Sequence, residues 1–229
     1  MSVFAIGDLH LPGHDQKPMD VFGSHWENHF ERIRADWLEA VGADDIVLLP
    51  GDISWAMHLS EAQPHLDQIG LLPGKKILLR GNHDYWWSAI GRVRSALPEN
   101  MFAIQNDAML IDGVLICGTR GWLLPGDDMS GDDRKIYERE LIRLEMSLKK
   151  ARALSADVPL IVMTHFPPLT AADQDTAPAQ LIESFGAQHA LYGHLHGPST
   201  RTAFQGEHNG VEYHLVSCDG LGFKLKKII

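Results

Sequence analysis

Cysteine is scarce: Cys117 and Cys218 are the only two in 229 residues. Neither has metal-type or redox-type spacing, and each lies in an apolar stretch, so two buried free thiols are expected rather than a disulfide framework. Positive charge is the second shortage. Twenty Lys and Arg stand against 30 Asp and Glu, a net charge of -10. A surface of that sign repels polyanions at long range, which argues against long nucleic acid and anionic membrane as partners. Any anionic substrate would need a local positive field. Long hydrophobic runs are missing too. No segment is long enough to span a bilayer, and the opening MSVFAIGDLH lacks a basic start and a signal-length apolar core, so a cytoplasmic protein is expected. Internal repeats, low-complexity tracts and linkers are also lacking, and one domain over residues 1–229 is the simplest organisation.

What is present is ordinary globular composition, 45% hydrophobic and 22% charged, with an excess of histidine, 13 in all. Short Val, Ile and Leu runs recur and end abruptly in polar clusters: VFAIGDLH, DIVLLPGD, KKILLRGNHD, PLIVMTH and HALYGHLH. Such runs read as strands buried on both faces. Helical patterns near residues 24–41 and 59–71 separate the first three, which predicts a largely parallel, mixed sheet. A further helix is predicted over 132–153, where Tyr137, Leu141, Leu144, Leu148 and Ala151 repeat at helical period, with acids at its start and bases near its end. Another is expected to open at Trp86 and Trp87, rings that pack or face substrate. Asp112-Gly113 and Asn209-Gly210 each suit a tight hairpin turn, suggesting antiparallel strands in a second sheet.

The polar clusters carry the chemistry. They are Asp8-Leu9-His10, Gly51-Asp52, Gly81-Asn82-His83-Asp84, His165 and Gly193-His194-Leu195-His196, each directly after a predicted strand. Turns leaving one edge of an α/β sheet gather in a crevice, so these distant residues can share a site. Imidazole, carboxylate and amide oxygen without thiolate suit Mn, Fe, Zn or Co rather than an all-oxygen Mg or Ca site. Asp8 with His10, and His194 with His196, are expected to project from one face of an extended segment. Asp8, His10, Asp52, Asn82, His165, His194 and His196 exceed the needs of one ion, and two metal ions sharing a carboxylate are the economical solution.

In this order and spacing, the motifs resemble those of the calcineurin-like metallophosphoesterase superfamily, and they extend from residue 8 to 196. The resemblance implies an α/β fold of two mixed β-sheets packed as a sandwich and flanked by helices, with the metals at the strand ends. It implies that Asp8, His10 and His196 bind one metal, that Asn82, His165 and His194 bind the other, and that Asp52 bridges them. It also implies a bridging hydroxide as nucleophile and His83 as the group that contacts the phosphoryl and protonates the leaving oxygen. Two divalent ions, less two carboxylates and a hydroxide, leave the site about one positive charge inside an acidic protein. Hydrolysis of a small phosphate mono- or diester follows. Alternatives are a catalytically silent scaffold of this fold that binds protein partners, and a nuclease on short nucleic acid.

One departure matters. The phosphoprotein phosphatases continue Gly-Asp with x-x-Asp-Arg-Gly, whereas here Ile53, Ser54 and Trp55 follow, and Trp55 stands where an acid would orient the catalytic histidine. Asp84, or an acid elsewhere, is left to orient His83. Arg120, in Gly118-Thr119-Arg120-Gly121-Trp122, suits either a bidentate phosphate clamp or a salt bridge. His14 and His58 closely follow metal motifs and are candidates for substrate contact, while Asp44 and Asp45 read as a solvated turn. Loops 11–25, 119–131 and 166–177 are expected to form the rim that selects substrate.

Overall fold

Side chains alternate across each short strand, and that alternation sorts them into layers. In β1 (Val3–Ala5), Val3 and Ala5 enter one core and Phe4 another; in β2 (Ile46–Leu49), Ile46 and Leu48 pair with the former, Val47 and Leu49 with the latter. These strands belong to a computed structural model that describes residues 1–12, 19–126 and 128–229. β3 (Lys75–Leu78) and β4 (Met101–Ala103) extend the sheet in parallel, and β11 (Lys226–Lys227) adds an antiparallel edge, giving the order β11-β1-β2-β3-β4.

A second sheet is built from β5 (Ala108–Ile111), β6 (Val114–Thr119), β7 (Leu160–Thr164), β8 (His189–Tyr192), β9 (Gly206–His208) and β10 (Val211–Leu215), in the order β5-β6-β7-β8-β10-β9. Its four central strands are parallel. Both predicted hairpins lie in it, at its two opposite edges. Asp112 and Gly113 take φ of 46° and 83°, Asn209 and Gly210 48° and 83°, as tight turns with two left-handed residues require.

Between the sheets lies an aliphatic layer in which Val3, Ile46 and Ile77 of the first face Ile116, Ile161 and Leu191 of the second. Outside the first sheet pack α1 (His29–Ala40), α2 (Leu59–Gly70) and α3 (Ile90–Ala96), bringing Ile33, Trp37, Leu66 and Val93 onto it. Outside the second pack α4 (Gly131–Leu154) and α5 (Ala177–Ser184), through Leu144, Leu148, Ala179 and Ile182. The result is the α-β-β-α sandwich with two mixed sheets expected from sequence. No described helix is long and apolar enough to cross a membrane.

The helix expected to open at Trp86 begins four residues later, at Ile90. Side chains hold the intervening segment in a turn: Trp86 Nε1 donates to Asp84 Oδ1 at 2.9 Å, Trp87 Nε1 to Gln105 Oε1 at 2.8 Å, and both indoles are buried. Packing is therefore their role. The fully buried Lys76 leans under the end of α2, where the carbonyls of Gly70, Leu72 and Gly74 accept from its ammonium. Burial pushes its pKa down to about 8. Asp45 receives the amides of Ser2 and Gly42 at 2.6 and 2.9 Å, while Asp44 remains in solvent.

Candidate metal centre

Parallel strands from both sheets end on the same side, and the irregular backbone beyond them carries the polar clusters. Segments 7–11 and 51–55 run side by side past β1 and β2, joined by Asp8 N to Gly51 O at 3.0 Å, His10 N to Asp52 O at 2.9 Å and Leu11 N to Ile53 O at 3.0 Å. Gly7 bridges to Ser217 beyond β10, which ties the first sheet to the second at this edge. The Asp8-x-His10 and His194-x-His196 segments are not extended throughout, as the two-residue spacing of their donors suggested; only His196 is, at φ of -126°. Asp8, His10, Asp52 and His194 sit at φ of 59°, 45°, 52° and 71°, the left-handed region that costs a non-glycine residue of order 1–3 kcal/mol. At these four donors the chain curls sharply.

Glycine makes the approach possible at two points. A Cβ on Gly193 would stand 2.2 Å from Asp8 Oδ2, and one on Gly81 2.0 Å from Asp52 Oδ1. Without side chains at 81 and 193, backbone and carboxylate pack directly: His83 N donates to Asp52 Oδ1 at 2.8 Å, and His194 N to Asp8 Oδ1 at 3.1 Å.

All seven sequence-predicted donors converge. Asp8, His10 and His196 bring ligand atoms within 4.8 Å of one another, and so do Asp8, Asp52 and His165. Asn82 Oδ1 lies 2.7 Å from His165 Nε2 and 3.0 Å from His194 Nδ1. Asp52 Oδ2 stands between the two sets, 3.8 Å from His10 Nε2 and 3.5 Å from His165 Nε2. His83 is at the border, its ring centroid 4.5 Å from Trp55 and 6.0 Å from His10.

The remaining hydrogen bonds of the imidazoles fix which nitrogen faces the cluster. His165 Nδ1 is paired with the Pro50 carbonyl at 3.0 Å and His196 Nδ1 with Asp219 Oδ1 at 2.8 Å, so each turns Nε2 inward. His10 Nε2 then meets His196 Nε2 at 3.3 Å, while His10 Nδ1 is buried without a partner. Lone pairs of several nitrogens and two carboxylates thus point into one small volume, an arrangement that cations relieve.

Electrostatics agree with that reading. Burial, followed by the charge of Asp8, raises Asp52 well above the usual carboxylate range. Burial would raise Asp8 too, but contacts with His196, His165 and His10 overcome it and hold it low. Burial lowers His10 to about 3 and His194 to about 4, so both are neutral and free to ligate. His196 goes the other way: burial opposes its charge, yet Asp219 and Asp8 push it up to about 10. A proton there occupies the place a metal would take.

Of two supporting acids, one takes a role other than the expected one and the other carried no sequence signal. Asp84 does not orient His83. Its carboxylate accepts from the amides of Gly81, Asp52, Ile53 and Ser54 at 2.8, 2.9, 2.9 and 3.2 Å, and from Trp86, and so pins two donor loops together. Asp219, an acid with no motif around it, accepts from Gly197 N as well as pairing with His196. The buried His29, which carried no pattern, holds the first loop through Leu9 O at 2.8 Å. For Arg120 the salt-bridge alternative has a partner: Glu140 lies at 4.0 Å, and the guanidinium lies over Trp122 at 4.6 Å. His58 is exposed at the start of α2, and His14 lies outside the described residues.

A pocket of about 320 Å³ opens beside the donors. Of the three expected rim loops, only the first lines it among the described residues, through Met19, Phe22 and His25; Trp26, Trp55, His83 and the segment after His196 join it there beside the donors. Loops 119–131 and 166–177 instead meet around a separate space of about 20 Å³, enough for little more than a water.

An α-β-β-α sandwich with imidazoles and carboxylates gathered at its strand ends marks a candidate metal-binding protein. More particularly, the chain belongs to the calcineurin-like phosphoesterase family, whose model it matches over residues 1–198, and it is a metal-dependent phosphoesterase. Two solved structures share the fold at 16% identity. One is a protein of unknown function, AQ665, from Aquifex aeolicus, similar over 99% of this chain and 95% of that one with a TM-score of 0.53. The other is the phosphopantetheinyl hydrolase PptH from Mycobacterium tuberculosis, similar over 100% of this chain and 95% of that one with a TM-score of 0.56. No curated protein matches the chain.

Proposed function

We propose that the chain hydrolyses small phosphate mono- or diesters at a centre of two metal ions, drawn from Mn, Fe, Zn and Co. The observation that carries this is the convergence of seven carboxylate, amide and imidazole side chains, from five separate strand ends, around one volume. Asp8, His10 and His196 would hold one ion, Asn82, His165 and His194 the other, with Asp52 shared. The position of Asp52 Oδ2 between His10 and His165 supports the sharing, and the membership of Asp8 in both donor sets marks it as a second candidate for it. When bound, the ions would supply positive charge for the phosphoryl oxygens and a water acidic enough to attack at neutral pH.

The chain's own residues do the rest. Asp219 and the Pro50 carbonyl keep the tautomers of His196 and His165 in ligating form. Asp84 holds the Asp52 and Asn82 loops in register. His83 borders both the donors and the pocket, where an imidazole can give a proton to the departing oxygen. Because donors from both sheets are needed, residues 1–229 would act as one domain. The name of the Mycobacterium tuberculosis neighbour, a hydrolase of a phosphopantetheinyl group, is compatible with a small organic phosphoester.

The test is hydrolysis of simple mono- and diesters by metal-stripped protein resupplied with Mn, Fe, Zn or Co. Turnover should return with at least one ion and be absent in Asp52→Ala; equal turnover in that variant would contradict the mechanism. His83→Ala should keep its metal and lose about 10²–10⁴-fold in rate. Loss of metal instead would mean that His83 is a ligand.

A further inference from the structure

The pocket beside the donors has two unlike halves. One is the donor cluster itself; the other is a wall of Met19, Phe22, Trp26 and Trp55 that begins where the cluster ends. Trp55 stacks on His10 at 4.9 Å and 20°, and Trp26 meets the His10 and His196 rings edge-on or tilted at 6.3 and 5.7 Å. The aromatic surface is therefore continuous with the proposed ligands. Trp26 is buried, but Phe22 is 65% exposed, and Val21 next to it 71%. Large apolar side chains left in solvent at the mouth of a cleft mark a binding surface. Among the described residues lining the pocket there is no Lys or Arg.

Charge and shape together select a substrate. A phosphoryl group seated at the cations leaves its ester substituent against this wall, where rings reward apolar contact and no described Lys or Arg would meet a second phosphate or carboxylate. We propose that the substrate is a phosphate ester whose remaining part is uncharged and apolar, aromatic or extended aliphatic, and sized to the pocket. This inference rests on the phosphoesterase reading and deepens it.

The experiment compares ethyl phosphate, 3-phenylpropyl phosphate and 1,3-propanediol bisphosphate on the manganese-loaded protein. The leaving alcohols of the first two are close in acidity, so a difference reports binding rather than chemistry. The kcat/KM for 3-phenylpropyl phosphate should exceed that for ethyl phosphate by about tenfold or more, and the bisphosphate should gain nothing over ethyl phosphate. Phe22→Ala should narrow the ratio of the first two. Equal efficiency for the first two, or preference for the bisphosphate, overturns the inference while leaving the phosphoesterase reading intact. If none of these monoesters turns over, the monoester part of that reading fails, and calorimetric titration with ethylphosphonate and 3-phenylpropylphosphonate decides the pocket alone. Tighter binding of the phenylpropyl compound by about tenfold supports it, and equal binding overturns it.

Discussion

Substituting Gly193 with alanine tests whether the donors owe their positions to close backbone approach. The added methyl would lie 2.2 Å from Asp8 Oδ2 and 3.1 Å from Asp8 Cγ. Carbon and oxygen rest at about 3.3 Å or more, so the carboxylate must retreat by roughly 1 Å. Asp8 is fully buried and already receives the His194 amide, so it has no free space to retreat into. Overpacking of this kind costs about 1–3 kcal/mol, which a domain with about 5–15 kcal/mol of stability survives. The function suffers more, since a displacement near 1 Å at a reacting centre lowers rate by about 10²-fold. Gly91→Ala is the control. It lies in the first turn of α3 with nothing within 4 Å of the added methyl, and gains about 0.5–1 kcal/mol from the lost chain freedom. Urea unfolding gives the two stability changes, elemental analysis the bound metal, and ester hydrolysis the rate. If Gly193→Ala keeps full metal content and turns over within threefold of the parent, the steric argument is wrong.

Other perturbations separate the supporting contacts. Asp219→Asn removes the charge that orients His196 and should weaken metal binding about 10–100-fold in competition with a chromophoric chelator. Burial pushes Cys117 up to about 12 and Cys218 well above the usual thiol range, so neither should react with a disulfide reagent near neutral pH until urea is added; rapid labelling of the native protein would contradict this. For Lys76 the folded pKa of about 8 lies below the ordinary 10.5, so above pH 8 the unfolded chain binds the extra proton and stability rises with pH. The stability of the parent relative to Lys76→Met should therefore grow between about pH 7 and about pH 10, and a flat difference would deny the shift.

Much of this arrangement could be read in the chain itself because its strands are short, apolar and each followed at once by polar residues. Burial on both faces forces the Val and Ile runs, and a strand end is where an α/β protein can expose a donor, so the runs and donors announce each other. The two hairpins were equally readable, since Asp112-Gly113 and Asn209-Gly210 are local turns that depend on nothing distant. What could not be read depends on distant contacts. Asp219 acquires meaning only when the segment after β10 is laid against β1, and Asp84 only when five donors from two loops surround it. The late start of α3 has the same origin, because the partners of Trp86 and Trp87 outweigh local helical preference. The left-handed backbone at Asp8 and His10, which their residue types tolerate, is held by hydrogen bonds to the distant 51–53 segment.

The Gly7–Ser217 bridge has a mechanical consequence. Asp8, His10, Asp52 and Asn82 follow strands of one sheet and His165, His194 and His196 strands of the other, so the cluster is the gap between two jaws with the aliphatic layer behind them. A small tilt of one jaw changes the spacing of every opposed pair at once. Side chains of the layer such as Ile116 and Ile161, which are not themselves donors, thereby calibrate the gap: trimming them would leave each ligand on its own sheet and spoil the grip between them.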